Sequence, residues 1–172
     1  MTTLFTSAEA HRAVELLTSR PLIRLITEID DNGAIPPRRL AGTLPDLSSH
    51  QLRLASGAAR TRGLVRTAPG SGLELTQAGA ELADLYDEAA RWARRYAYPA
   101  PVSEFSSRIR HVLDLLAPSL EPERADDSSP RSTAGLPSGE AEADLARPRA
   151  LLIQWLIGNP QVTRVFEPEL VA

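Results

Sequence analysis

Six arginines, Arg38, Arg39, Arg53, Arg60, Arg62 and Arg66, fall within residues 33–66, a stretch that holds one acid, Asp46. The local charge is +5, whereas the remainder of the chain carries −8 and leaves a net −3 over 172 residues. A basic segment inside an acidic protein has the charge footprint of phosphate contact, because guanidinium groups displace the counterions condensed on a nucleic acid backbone. The plain alternative is a solvated helical face. All 19 basic residues are arginine, so the choice of arginine over lysine is no sign of bidentate recognition here. The candidate chemistry is therefore binding of DNA through charge and hydrogen bonds.

The elements that must position these side chains follow from local signals. Pro37 to Leu44 reads as a short helix with proline in its first turn, stopped by Pro45 and Asp46. Ser48-Ser49-His50-Gln51 is an S-x-x-Q capping box, which predicts a second helix from Ser49 to about Arg62, with Gly63 at a left-handed C-cap. Leu64–Thr67 and Leu73–Thr76 are short β-type runs around the turn 68–72, a hairpin with glycine in its loop. Two helices joined by a tight turn and followed by a small hairpin are the layout of a winged helix-turn-helix.

If Leu52, Ala55 and Ala59 of the second helix face inward, then Ser49, His50, Arg53, Leu54, Gly57 and Arg60 face outward. That outward face has no acid. Arg53 is placed to bond a guanine edge bidentately, Leu54 to touch a thymine methyl, and His50 and Arg60 to meet bases or phosphates. Ser48 is a helix cap first, and Ser49 sits where a helix N-terminus meets a phosphate. Arg38 and Arg39 start the preceding helix, which in this motif crosses the DNA backbone. Arg66 on the first strand reaches toward the backbone as well. The hairpin tip carries no base and is expected to add little.

Elsewhere the chain reads as helical. Thr6-Ser7-Ala8-Glu9 is a capping box ahead of a helix with Ala10, Ala13, Val14 and Leu17 on one side. Ser19-Arg20-Pro21 opens a helix bearing Leu22, Leu25, Ile26 and Ile29. Thr76 caps a long helix, Gln77 to about Tyr96, with the apolar stripe Leu82, Leu85, Tyr86, Ala89, Trp92, Ala93 and Tyr96. A further helix from Val102 to Ala117 has the stripe Phe105, Ile109, Val112, Leu113 and Leu116. Residues 121–148, rich in Pro, Ser, Ala and acids, read as a disordered linker. Residues 149–157 are apolar nearly all round and must be buried against the chain or a partner. The expected division is a winged helix-turn-helix domain over 1–98, an additional packing helix over 99–120, the linker over 121–148, and a docking helix and tail over 149–172.

Enzyme chemistry finds no constellation. His11, His50 and His111 lack metal-ligand spacing, and no P-loop, G-x-S-x-G or G-x-G-x-x-G occurs. We expect no catalytic residues, no metal and no cofactor. The absence of cysteine removes disulfides and thiol sensing. No signal peptide or membrane-length apolar run is visible, so a cytoplasmic protein with no membrane partner is expected. Trp92, Tyr96, Tyr98 and Trp155 read as core or dimer packing before ligand contacts.

The segment from Ala13 to Arg94 resembles the HxlR-type winged-helix transcriptional regulators of the wider MarR-like group. The residues that carry the resemblance are Ala13-Val14-Glu15-Leu16-Leu17 before Arg20, then Leu22, Leu25 and Ile26. They continue through Arg39-Leu40, Leu44-Pro45, Leu47-Ser48, Leu52, Gly63-Leu64-Val65-Arg66 and Leu75-Thr76-Gln77-Ala78-Gly79, and on from Leu82 to Trp92. The resemblance implies a bacterial cytoplasmic homodimer that binds a pseudo-palindromic operator on double-stranded DNA, with terminal helices at the dimer interface and an effector, if any, of unknown kind. Ser56 and Ala59, where the family usually carries leucines, imply a recognition helix packed either closer to its neighbours or more loosely. The expected function is that of a sequence-specific DNA-binding transcriptional regulator. The alternative is a winged helix used for protein–protein interaction without DNA.

Overall fold

A computed structural model of the chain describes residues 4–98, 104–120 and 139–164. The described residues are mainly helical, with one two-stranded antiparallel hairpin. Helix α1 spans Ser7–Leu17 and α2 spans Arg20–Asn32. The capping box at α1 forms as its sequence predicts. Thr6 Oγ1 accepts from the Glu9 amide at 3.1 Å, and Glu9 Oε2 accepts from the Thr6 amide at 2.8 Å.

Helix α2 is the hub. Leu22, Ile23, Leu25 and Ile26 are almost wholly inaccessible, and the helix packs against the helices Ser49–Thr61, Gln77–Arg95 and Phe105–Leu116. The stretch expected as one helix from Pro37 to Leu44 divides into a 3-10 turn, Pro37–Arg39, and a single α-turn, α3, Leu40–Thr43. The consecutive prolines Pro36 and Pro37 remove two backbone donors, and Gly42 has low helix propensity, so no longer α-helix is supported. Helix α4 is Ser49–Thr61. Its capping box also forms, with Ser48 Oγ accepting from the Gln51 amide at 3.1 Å and Gln51 Oε1 accepting from the Ser48 amide at 2.9 Å.

Gly63 follows α4 with φ +70°, the left-handed conformation expected at its end. Strand β1, Val65–Ala68, pairs with β2, Gly72–Leu75, with Arg66 opposite Glu74. An isolated bridge between Ile35 and Leu73 adds a third extended segment beside β2. At Gly72 (φ +101°) that segment comes so close that a Cβ would lie 2.4 Å from the Ile35 carbonyl oxygen.

Helix α5, Gln77–Arg95, is capped by Thr76 Oγ1, which accepts from the Gly79 amide at 3.2 Å. Its whole expected stripe except Tyr96 is buried, and the Tyr86 hydroxyl donates to the Leu17 carbonyl at 2.8 Å. Burial pushes the Tyr86 phenol pKa up. Helix α6 is Phe105–Leu116. Its buried face is Ser106, Ile109, Val112, Leu113 and Leu116. Phe105, expected on that stripe, is instead 43 % exposed at the first turn. The buried set steps from Ile109 back to Ser106, so Phe105 falls off the face.

The expected linker does not extend to residue 148. Helix α7, Gly139–Asp144, and helix α8, Ala146–Gly158, bury Ala141, Leu145 and Pro148 along with Leu152, Trp155 and Leu156. Alanines and one leucine, Leu145, over residues 139–148 give a weak periodic signal, but the small side chains allow close helix contact. The Trp92 indole N–H donates to the Ala141 carbonyl at 3.0 Å, and the Trp155 indole donates to the Ala78 carbonyl at 3.0 Å. Helix α8 therefore docks on α5 of its own chain. Residues 121–138 of the expected linker, the break at Pro99–Pro101, Val102 and the tail 165–172 lie outside the described residues. No helix among the described residues is long and apolar enough to cross a membrane.

Candidate nucleic-acid interface

Helix α4 rests on α2 through one side and leaves the other open. Leu52, Ala55, Ser56 and Ala59 are buried. The Ser56 hydroxyl is satisfied inside the helix, donating to the Leu52 carbonyl at 2.7 Å. The small residues Ser56 and Ala59 thus lie fully on the inward face. On the outward face Ser49, His50, Arg53, Leu54 and Arg60 are exposed, as the helical spacing predicts. Gly57 is half-buried, and a Cβ built on it meets nothing within 4 Å. Leu54 is 60 % exposed, an apolar side chain held out among polar ones.

Arg53 Nη2 lies 3.5 Å from His50 Nδ1, one turn earlier on the same face. These two are the pair of expected contact residues brought into direct contact. Arg38 and Arg39 are exposed on the turn leading into α3, and α3 packs against α4. Among the described residues Arg38, Arg39, Arg53 and Arg60 have no carboxylate partner. Their charge is available to solvent or to an anion.

The single acid of the segment is neutralised from outside it. Asp46, in the turn between α3 and α4, receives Arg24 and Arg20 of α2 at 2.9 Å each. Arg20 also reaches Glu104 at 3.2 Å, which links the turn to the start of α6. Hydrogen bonding by the Arg24 guanidinium holds the Asp46 carboxyl down to a pKa of about 2. No local pattern reveals this clamp, because its partners lie 22 and 26 residues away.

Three other residues are committed elsewhere. Ser48 Oγ is occupied by the cap. Arg66 Nε donates to Glu74 Oε1 across the hairpin at 2.6 Å, so the wing's one cation is matched by an acid. Arg62, counted in the basic segment, is strapped to the C-terminal region. Its Nη1 donates to the Val162 carbonyl at 2.6 Å, and its own carbonyl accepts from Gln161 Nε2 at 3.2 Å.

The hairpin is pinned to both neighbouring helices. Thr76 Oγ1 donates to the Gly63 carbonyl at 2.5 Å and the Thr76 amide to the Leu64 carbonyl at 3.0 Å. At Gly79 the first turn of α5 approaches so closely that a Cβ would stand 2.0 Å from the Leu64 oxygen. Among the described residues no group of three His, Cys, Asp or Glu side chains could hold a metal ion. The arrangement presents an exposed, acid-free cationic helix face that can contact an anion. No family model, curated protein or solved structure matches the chain.

Proposed function

We propose that this protein is a winged helix-turn-helix regulator that binds double-stranded DNA sequence-specifically, with α4 as its recognition helix in the major groove. The carrying observation is the outward face of α4, which holds Ser49, His50, Arg53, Leu54 and Arg60 exposed and has no acid. Arg53 and Arg60 have no carboxylate partner among the described residues, and the nearby Asp46 is already neutralised by α2. An α-helix about 10–12 Å across fits a major groove of about 12 Å. Arg53, steadied by His50, reads a base edge, while Arg38, Arg39 and Arg60 take phosphates. The mechanism is binding and not covalent chemistry. The HxlR-type resemblance belongs to this proposal, as does a homodimer that sets two recognition helices one DNA turn, about 34–36 Å, apart. Apart from Tyr96 and Phe105, the apolar stripes of α5 and α6 are buried within a single chain and leave little surface for such a dimer. Two-fold pairing therefore rests on the symmetry of such operators, and sedimentation tests it.

A salt titration on random duplex DNA tests the reading. Log affinity should fall linearly with log salt concentration, with a slope near −0.9 for each phosphate neutralised. No binding at about 50 mM salt would overturn it, since non-specific electrostatic affinity is strongest at low salt. A protein-interaction module is the second reading. It is favoured by Leu54 standing 60 % exposed on the same face and by the wing's Arg66 being tied to Glu74.

A further inference from the structure

We propose that the groove between α5 and α8 is a binding site for a small organic cation with an apolar body. The groove has a volume of about 710 Å³, within the range of about 300–1,000 Å³ usual for small-molecule sites. Its apolar wall is Leu85, Leu151, Trp155 and Ile157, and its polar wall includes Glu81 and Asp84. Ile157 is 56 % exposed on α8, one of four large apolar residues left open among the described residues, with Leu4, Leu54 and Phe105. The indole of Trp155 is fixed by its bond to the Ala78 carbonyl, so this wall is formed before any ligand arrives. Aromatic rings and carboxylates together are the surroundings that stabilise an organic cation.

The charge on the polar wall has no counterion of its own. Glu81 accepts a neutral hydrogen bond from Gln77 at 3.1 Å. Neither Glu81 nor Asp84 has a cationic partner among the described residues. The arginines of α5 lie at its far end, where Arg147 of α8 and Arg91 both meet Glu88. The field of Asp84 extends along α5 to the end of α2. Burial first, and then neighbouring acids including Asp84, push the Asp30 and Asp87 carboxyls up. An anion is repelled from this wall. A bare divalent metal lacks the third ligand it would need among the described residues. A soft cation with hydrophobic bulk satisfies both walls at once. The site lies apart from the outward face of α4 and does not depend on DNA binding.

Calorimetric titration of the full chain with tetraphenylphosphonium and with tetraphenylborate tests the proposal, since the two ions share a shape and differ in charge. The phosphonium should bind saturably at one site per chain, and the borate at least about tenfold more weakly. The Glu81→Gln/Asp84→Asn double variant should lose that preference, and Ile157→Arg should abolish phosphonium binding. These side chains are exposed, so circular dichroism should remain that of the parent. Equal affinity for the two ions, no binding of the phosphonium at about 1 mM, or an unchanged preference in the double variant would each overturn it.

Discussion

Arg24 grips Asp46 through two parallel hydrogen bonds, Nε to Oδ2 at 3.0 Å and Nη2 to Oδ1 at 2.9 Å. A fork-to-carboxylate contact of this kind fixes orientation as well as distance. It sets the turn before α4 against α2, and with that the angle at which α4 leaves the body. The pair is a third exposed, so its contribution is modest, about 1 kcal/mol for Asp46→Asn at neutral pH. The folded-state pKa of Asp46 is depressed from 3.8 to about 2. Its contribution is therefore fully present above pH 3.8 and is lost as pH falls through 2. Urea titrations of parent and variant should differ at pH 7 and converge near pH 2; a constant gap would rule this linkage out.

Arg53→Ala should weaken binding to the preferred operator by about 1–3 kcal/mol and flatten the preference among sequences. Arg39→Ala should weaken all duplexes alike and make the salt dependence shallower by about one phosphate. Both side chains are exposed, so neither change should move the melting temperature appreciably. Competition binding with specific and random duplexes separates the two effects. If both variants bind as the parent does, α4 does not present its outward face to DNA.

Gly57→Ala divides helix stability from groove contact. The added Cβ meets nothing within 4 Å in the free protein, so α4 should gain about 1 kcal/mol from helix propensity. If the backbone at Gly57 approaches DNA, the same methyl should reduce affinity. A variant that is more stable and binds less well supports that close approach; one that gains on both counts shows that the DNA lies farther away.

Much of this architecture is legible because its signals are local. Both capping boxes, the Gly63 terminus and the Thr76 cap are determined within four residues, and each forms where the sequence places it. The outward face of α4 follows from helical spacing alone. The missed features depend on distant partners. Ile35 joins Leu73 across 38 residues, Arg62 is taken up by Val162 a hundred residues later, and Ala141 is buried because Trp92 waits for its carbonyl. An alanine-rich, acidic stretch has the composition of a linker, yet residues 139–144 form a helix whose Ala141 carbonyl accepts from Trp92 of α5.

Gly79→Ala should be severely destabilising, although glycine to alanine normally favours a helix. The Cβ would stand 2.0 Å from the Leu64 oxygen and 3.2 Å from the Leu75 side chain. Relief requires α5 to retreat from the hairpin, which overpacking data put at about 1–3 kcal/mol or more. The Thr76–Gly63 and Thr76–Leu64 bonds lie at the same junction, so amide exchange across β1 and β2 should quicken with the loss of stability. A stable variant with unchanged exchange would mean that the hairpin is not anchored there.

The C-terminal region should stabilise the folded chain and position the end of α4. Residues 159–163 touch two separate elements. Thr163 accepts from Arg12 Nε of α1 at 3.0 Å, and Val162 and Gln161 hold both the side chain and the carbonyl of Arg62. Behind them Leu152, Trp155 and Leu156 bury against the body, each worth about 1.5–3 kcal/mol relative to exposure. Ordering the segment offsets part of that gain. We expect a chain ending at residue 138 to melt roughly 5–10 °C lower, since each kcal/mol shifts a domain of this size by about 2–4 °C. Two single variants resolve the contributions. Trp155→Phe keeps an aromatic ring but removes the indole N–H that donates to the Ala78 carbonyl and part of the buried ring, at a cost of about 1–3 kcal/mol. Arg62→Met keeps apolar length and removes the donor to Val162, so it should loosen the last turn of α4 while leaving α8 docked. Hydrogen exchange should show faster amides over residues 58–62 in that variant and unchanged protection over 150–157. Unaltered melting on truncation, together with a Trp155 emission typical of water, would show that α8 does not dock on α5 in solution.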